Sequence, residues 1–212
     1  MSNKTLIIGA GGHARIVASV AGDTDLDILG VIDKDNNSIG EKVGDYEIVD
    51  TIDNLNSWLK KGVRKILIAI GNNQERKELF FNLKTSKIEF PTLIHKTAVI
   101  NRSCKIGEGS LICPGVIIGA EVNIGISTII NSGSIVEHES EIGDFSSIAP
   151  GCNLAGRVKI GKKSFIGIGS TISDNLSIGE NCVVGAGSVV IKNVSSESTV
   201  YGVPAKEHLK SI

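Results

Sequence analysis

The hydrophobic positions divide this chain into two stretches with different periods. From Ile94 to Val190 an aliphatic residue returns every six positions, seventeen times in succession, with polar residues and glycines between. A period of six fits neither the 3.6 residues of a helical turn nor a meander of hairpins. It fits short flat strands joined by tight turns, with three hexads closing one coil of a β-helix. Residues eighteen apart then stack along the axis at roughly the 4.8 Å strand spacing. The aliphatic column fills the interior, and a small or β-branched residue two positions earlier (Ser110, Val116, Ser134, Cys152, Ser164) fits beside the corner. The glycine that often follows the column residue is expected to relieve crowding where the chain bends.

Before Ile94 the pattern alternates between strand and helix. Thr5 to Gly9 is a short apolar run leading into Gly-Ala-Gly-Gly-His-Ala, and an amphipathic stretch, Ala14 to Ala21, follows. A second strand, Ile28 to Ile32, ends on Asp33. Thr51 to Gly62 then reads as helix, Lys65 to Ile70 as a strand closed by Gly71-Asn72-Asn73, and Gln74 to Lys84 as a third helix. Such alternation predicts a small parallel sheet whose ligands bind at the carboxyl ends of its strands. The chain thus divides into a domain over 1–92 and a solenoid domain over 93–212.

Composition narrows the function classes. A net charge of −1, a pI near 6.4 and the lack of a basic stripe speak against nucleic acid as a partner. No apolar stretch reaches the eighteen or more residues of a membrane span and no signal segment opens the chain, so a cytoplasmic protein is expected. Cys104, Cys152 and Cys182 occupy the small inward position of the repeat and Cys113 follows a column residue, which makes all four core fillers. With no CxxC and no metal-ligand spacing, neither a disulfide nor a metal site is predicted.

Gly9-x-Gly11-x-x-Ala14, with Asp33 ending the second strand, matches the dinucleotide fingerprint in form. Bare backbone at Gly9, Gly11 and Gly12 would let a diphosphate approach the N-terminus of the following helix, and Asp33 would accept from ribose or base. A tight strand-to-helix turn with no ligand is the alternative. A unit of about ninety residues lacks the second mononucleotide half of an NAD site, so half a Rossmann site suits a nucleotide sugar better. His13 in the same loop could cap the first helix, bond across the loop or touch a ligand.

In the repeat, one constellation bears chemistry: Val136-Glu137-His138-Glu139, with Asn131 seven residues upstream. His138 is the repeat's one histidine between Ile100 and Val190, and the residues eighteen away on either side are Ala120 and Gly156, which leaves space around an imidazole. Glu139 could bond one ring nitrogen, fix the tautomer and leave the other nitrogen as general base. A surface histidine on a charged turn is the bland alternative. No Ser/His/Asp series or paired cysteine nucleophile is evident, so direct attack on a bound acyl donor is the simpler route.

The Gly-Gly-His βαβ unit, the unbroken hexapeptide repeat, the Asn…Glu-His-Glu segment and the tail Gly202-Val-Pro-Ala-Lys206 together resemble the PglD/NeuD family of bacterial sugar acetyltransferases over essentially the whole chain. The resemblance implies an α/β N-terminal Rossmann-like βαβαβ domain followed by a left-handed parallel β-helix. It also implies a homotrimer of bacterial glycan biosynthesis that moves acetyl from acetyl-CoA to an activated sugar. His138 corresponds to the family's base, Glu139 to its support and Asn131 to the Asn before the pair. Gly11, Gly12, His13, Asp33, Lys34, Gly71 and Asn72 match the nucleotide-sugar pocket, and Ser147, Gly156, Ile168 and Ala186 fall on the acyl-donor path. Ser147 stands where family members carry a second histidine, which weakens or replaces that contact. The acceptor expected is the amine of a nucleotide-linked 4-amino-4,6-dideoxy sugar. Alternatives are O-acetylation of the sialic acid (NeuD) type, a nucleotide-sugar sensor without catalysis, and a dinucleotide oxidoreductase.

Overall fold

In the computed structural model, which describes residues 3–84 and 88–208, the repeat is built from two-residue strands that each end on a column residue, from Leu93–Ile94 to Val189–Val190. Strands eighteen residues apart pair in parallel, Ile118 against Val136 and Val136 against Leu154, so every third strand joins the same sheet. Three parallel sheets result, and the coils form a left-handed parallel β-helix. Column residues from Ile112 to Val190 are 0–4% exposed, whereas Ile94 in the opening coil is 44% exposed. At the other end Thr199–Gly202 stacks on Val183–Val184 and folds back against Ala205–Glu207 as an antiparallel hairpin.

The corners add detail to the expectation. The bend is made by the third residue after the column residue, which takes positive φ. One corner uses glycine throughout (Gly115, Gly133, Gly151, Gly169, Gly187; φ 66–68°), another uses Glu121, Glu139, Arg157 and Asn175 (φ 57–60°). The glycine directly after the column residue answers a different need, because a Cβ on Gly107 would lie 2.6 Å from the backbone of Gly125 in the next coil. The small inward residues do more than fit. Ser134 Oγ donates to Ala149 O (2.9 Å) and accepts from Cys152 N–H (3.3 Å), and Ser164 Oγ likewise bonds Gly179 O (2.7 Å) and Cys182 N–H (3.0 Å). Buried corner groups that coil stacking leaves unpaired are thereby satisfied. The four cysteines are free thiols, with burial pushing the Cys113 thiol up to about 12.

This solenoid unit, Ile94–Ile212, is separate from a second compact unit, Met1–Leu93. The N-terminal unit holds β1 (Lys4–Ile8), α1 (Gly12–Gly22), β2 (Asp27–Asp33), β3 (Lys42–Val43), β4 (Tyr46–Thr51), α2 (Leu55–Lys60), β5 (Lys65–Ile68) and α3 (Asn73–Leu83). Its sheet runs β3-β4-β2-β1-β5, parallel except for the antiparallel edge strand β3. Leu6, Ile7, Ile8, Val31, Ile32, Ile66 and Leu67 are at most 3% exposed, as expected of strands covered on both faces. The helix expected over Thr51–Gly62 is shorter. Thr51 closes β4, Ile52–Asn54 forms a 3-10 turn and only Leu55–Lys60 is α-helical. The β3–β4 hairpin turns on Gly44-Asp45, where Gly44 has φ +60°.

Candidate functional site

The N-terminal unit gathers one set of predicted residues. Its strand order reverses beside β1, with β2 on one side and β5 on the other, and the loops that follow β1 and β5 part at the carboxyl edge. A cleft of about 570 Å³ opens there, lined by Gly11, Gly12, His13, Asp33, Lys34, Gly71 and Asn72 among others. Gly9 has φ +109°, and a Cβ there would stand 3.1 Å from Ala69 O, so the loop comes this close to β5 only without a side chain. Nothing lies within 4 Å of a Cβ built on Gly11 or Gly12, whose backbone faces open space. The N-cap of α1 is Gly11 and makes no side-chain cap bond, which leaves first-turn N–H groups for an anion.

Asp33 turns one carboxylate oxygen inward, where Oδ1 accepts from Ala10 N–H at 3.3 Å. This carboxylate therefore shapes the loop as well as facing the cleft. His13 does not cap α1. It stands beside Gly71, whose built Cβ would be 3.6 Å from His13 Cβ. Burial, reinforced by the Arg76 charge, pushes its pKa down to about 4, so the imidazole is neutral at pH 7 and offers one donor and one acceptor. Asn72 carries a structural duty that sequence did not suggest: its Oδ1 caps α3 by accepting from Gln74 and Glu75 N–H, both at 3.0 Å.

The second set sits on the solenoid. Val136 points inward at 0% exposure and fixes the coil, so that His138, two residues on, projects from the corner with its side chain 48% exposed. His138 Nδ1 lies 2.9 Å from Glu139 Oε2, and the same oxygen lies 2.8 Å from Arg157 Nη2. These bonds, the one from His138 first and that from Arg157 second, hold the Glu139 carboxyl below its ordinary range. A Cβ on the buried Gly156 would be 2.6 Å from His138 Nε2 and Cε1, so the ring lies close against bare backbone of the next coil. Space around the imidazole is therefore smaller than its neighbours' size suggested, since the ring itself uses the room Gly156 leaves.

Other predicted residues lie elsewhere on the coils. Asn131 follows Ile130 at a different corner and bonds locally, its Oδ1 accepting from Ser132 N–H at 2.8 Å. Ser147 begins a strand that pairs with Ile129–Ile130 and is 5% exposed. Ile168, 56% exposed, and Ala186 share the glycine-turn corner eighteen residues apart, not the corner of His138 and Gly156. Within one chain, then, the structure joins His138, Glu139 and Gly156 and does not bring Asn131, Ile168 or Ala186 to them.

Two arginines were missed. Arg157 was readable: it is eighteen residues after Glu139, and the same spacing pairs Glu141 with Lys159 (2.9 Å) and Asp144 with Lys162 (2.9 Å). Arg76 carried no such signal, since an arginine in a polar helix ordinarily faces water. It is 1% exposed, and its guanidinium donates to Ile70 O and Gly71 O, each at 3.0 Å, and to Asn73 Oδ1 at 2.8 Å. It pins the wall of the cleft. Among the described residues no group of three or more His, Cys, Asp or Glu could hold a metal ion, and no helix is long and apolar enough to cross a membrane.

Comparison with known proteins covers both units. Residues 4–83 match the PglD N-terminal domain family and residues 157–192 match the bacterial transferase hexapeptide family. The structure superposes with a TM-score of 0.91 on PerB from Caulobacter crescentus, solved with CoA and GDP-perosamine, at 31% identity over 97% of each chain. It also resembles the acetyltransferase domain of PglB from Neisseria gonorrhoeae, solved with acetyl coenzyme A, at a TM-score of 0.89 and 30% identity, covering 98% of this chain and 100% of that one. UDP-N-acetylbacillosamine N-acetyltransferase of Bacillus subtilis is 33% identical over 109 residues, 50% of this chain and 49% of that protein, so the match spans about half of its length.

Proposed function

Because the chain belongs to the PglD-type family of hexapeptide transferases, we propose that it is an acetyl-CoA-dependent N-acetyltransferase acting on the amine of a nucleotide-linked 4-amino-4,6-dideoxy sugar. The observation that carries this reading is the His138–Glu139 pair. A carboxylate can only accept, so the contact at 2.9 Å puts the proton on Nδ1 and leaves Nε2 with its lone pair. As the sugar nitrogen attacks the thioester carbonyl carbon, Nε2 takes the amine proton, the C–S bond breaks, and the coenzyme thiolate leaves and is protonated. A backbone N–H steadies the oxyanion between these events.

The acceptor belongs to the N-terminal cleft, with the diphosphate against the first turn of α1 at Gly11 and Gly12 and the nucleoside facing Asp33, Lys34, His13, Gly71 and Asn72. The donor belongs to the solenoid, along Ser147, Gly156, Ile168 and Ala186. Those residues occupy different corners, so one coenzyme A touches all of them only where two copies meet, which favours a homotrimer. Asn131 joins His138 across the same boundary. The enzyme works in the cytoplasm, where acetyl-CoA is made, as a step of bacterial glycan biosynthesis.

Incubating the protein with labelled acetyl-CoA and a panel of GDP-, UDP- and dTDP-linked amino sugars tests the reading. Mass spectrometry should find one acetyl on nitrogen. Label on a hydroxyl of an acceptor without an amine, such as a sialic acid, would overturn it.

A further inference from the structure

We propose that Arg157 is a positioning residue for the general base, holding Glu139 in the one orientation that keeps His138 in a single tautomer. The inference rests on the proposed role of His138. Glu139 follows His138 directly, sits in the left-handed region at φ 59° and has its side chain 42% exposed. A carboxylate so exposed, on a flexible arm, gains little from one neighbour and loses rotamer freedom by meeting it. Arg157 supplies a second contact from outside the segment. It occupies the same corner one coil further on, where its own N–H donates to His138 O at 2.8 Å, so backbone and side chain tie the two turns together.

Nη2 of Arg157 and Nδ1 of His138 converge on the same Glu139 oxygen, at 2.8 and 2.9 Å. Both bonds favour the ionised carboxylate, which accepts from Nδ1–H and leaves Nε2 unprotonated over Gly156. Arg157 reaches His138's ring only through Glu139. The fold does not ask for a cation here, since the same corner position carries Glu121, Glu139 and Asn175 in the other coils. An arginine at this one level is explained by what lies beneath it.

The test is a double-mutant cycle on the full chain. Arg157→Ala should lower kcat about threefold to fivefold, the size of one exposed charge contact, with KM for acetyl-CoA and for the nucleotide sugar unchanged. Arg157→Lys should recover most of the loss. Arg157→Ala added to Glu139→Ala should cost nothing more, because both act on one interaction. An unchanged kcat, a raised KM for either substrate, or additive losses would each overturn the proposal. If the wild-type protein acetylates no nucleotide-linked amine, the proposed function fails and the present inference is read directly. Nitrogen NMR of His138 at mildly alkaline pH should find the Nδ1–H tautomer dominant in the wild type and mixed tautomers in Arg157→Ala. Equal populations in the two proteins would refute it.

Discussion

The N-terminal unit collects its candidate residues into one cleft, whereas the solenoid strings its own along separate corners. The difference follows from backbone geometry. A parallel α/β sheet delivers several loops to the carboxyl edge of neighbouring strands, and where its order reverses those loops part and leave a cavity. A β-helix buries the aliphatic column and the small residues two positions before it and sends most other side chains outward, so reactive groups on one chain share a corner only if they are eighteen residues apart or adjacent in sequence. A solenoid corner therefore makes a precise ion pair or stack and a poor pocket. Proteins built this way need a second surface to enclose a substrate, and by our reading a second copy of the coil supplies it.

The comparison breaks most visibly at Gly156. Because a Cβ there would collide with the His138 ring at 2.6 Å, Gly156→Val should displace the imidazole and lower kcat by about 10² to 10⁴, as loss of a positioned general base does. Nucleotide-sugar affinity should not change. Steady-state kinetics with calorimetric titration checks both, and a variant that kept its turnover would remove His138 from the mechanism.

A pH effect separates the units next. The His13 pKa in the folded protein, about 4, lies below its ordinary value of 6.5, so the unfolded chain binds the proton more readily. The stability from keeping His13 neutral is then full above pH 6.5 and is lost as pH falls toward 4, by at most about 3 kcal/mol. Urea unfolding at pH 7 and pH 5 should find the N-terminal unit weakened at the lower value, and His13→Gln should flatten that dependence. Equal stability of wild type and variant at both pH values would contradict the burial of this imidazole.

The smallest of these effects concerns Asp33. Asp33→Ala should weaken nucleotide-sugar binding by about 1 to 3 kcal/mol, part of it from the Ala10 N–H that loses its acceptor inside the loop. Calorimetry should find coenzyme A binding unaltered. A wild-type nucleotide-sugar affinity in this variant would leave Asp33 a loop residue only.

Much of this is legible in the sequence. A period of six identified the coils because each hexad must repeat the same inward contact, and the glycine loop with Asp33 marked the cleft because both lie at strand ends. What was missed has a physical reason in each case. The hexad glycines relieve crowding as expected, but the crowding comes from the approach of the next coil, which only stacking creates, and the bend itself tolerates Glu139 or Arg157 at positive φ. The β3–β4 hairpin was overlooked although Gly44-Asp45 is a two-residue turn signal between Val43 and Tyr46. Asn72 lines the cleft as expected, and its second duty escaped notice because sequence does not say that its Oδ1 also accepts from the first N–H groups of α3. Arg76 was beyond reach, because its burial depends on three oxygens brought together by the β5–α3 turn.

The division of labour between cleft and coil is tested most directly by titrating one full-length variant with both substrates. Gly12→Leu introduces a side chain where nothing lies within 4 Å of the Cβ, so it fills the cleft without disturbing the fold. The account predicts that isothermal calorimetry will find nucleotide-sugar binding abolished and coenzyme A binding at its wild-type value. Retained nucleotide-sugar affinity, or a loss of coenzyme A affinity with it, would contradict the assignment of the acceptor to the N-terminal unit.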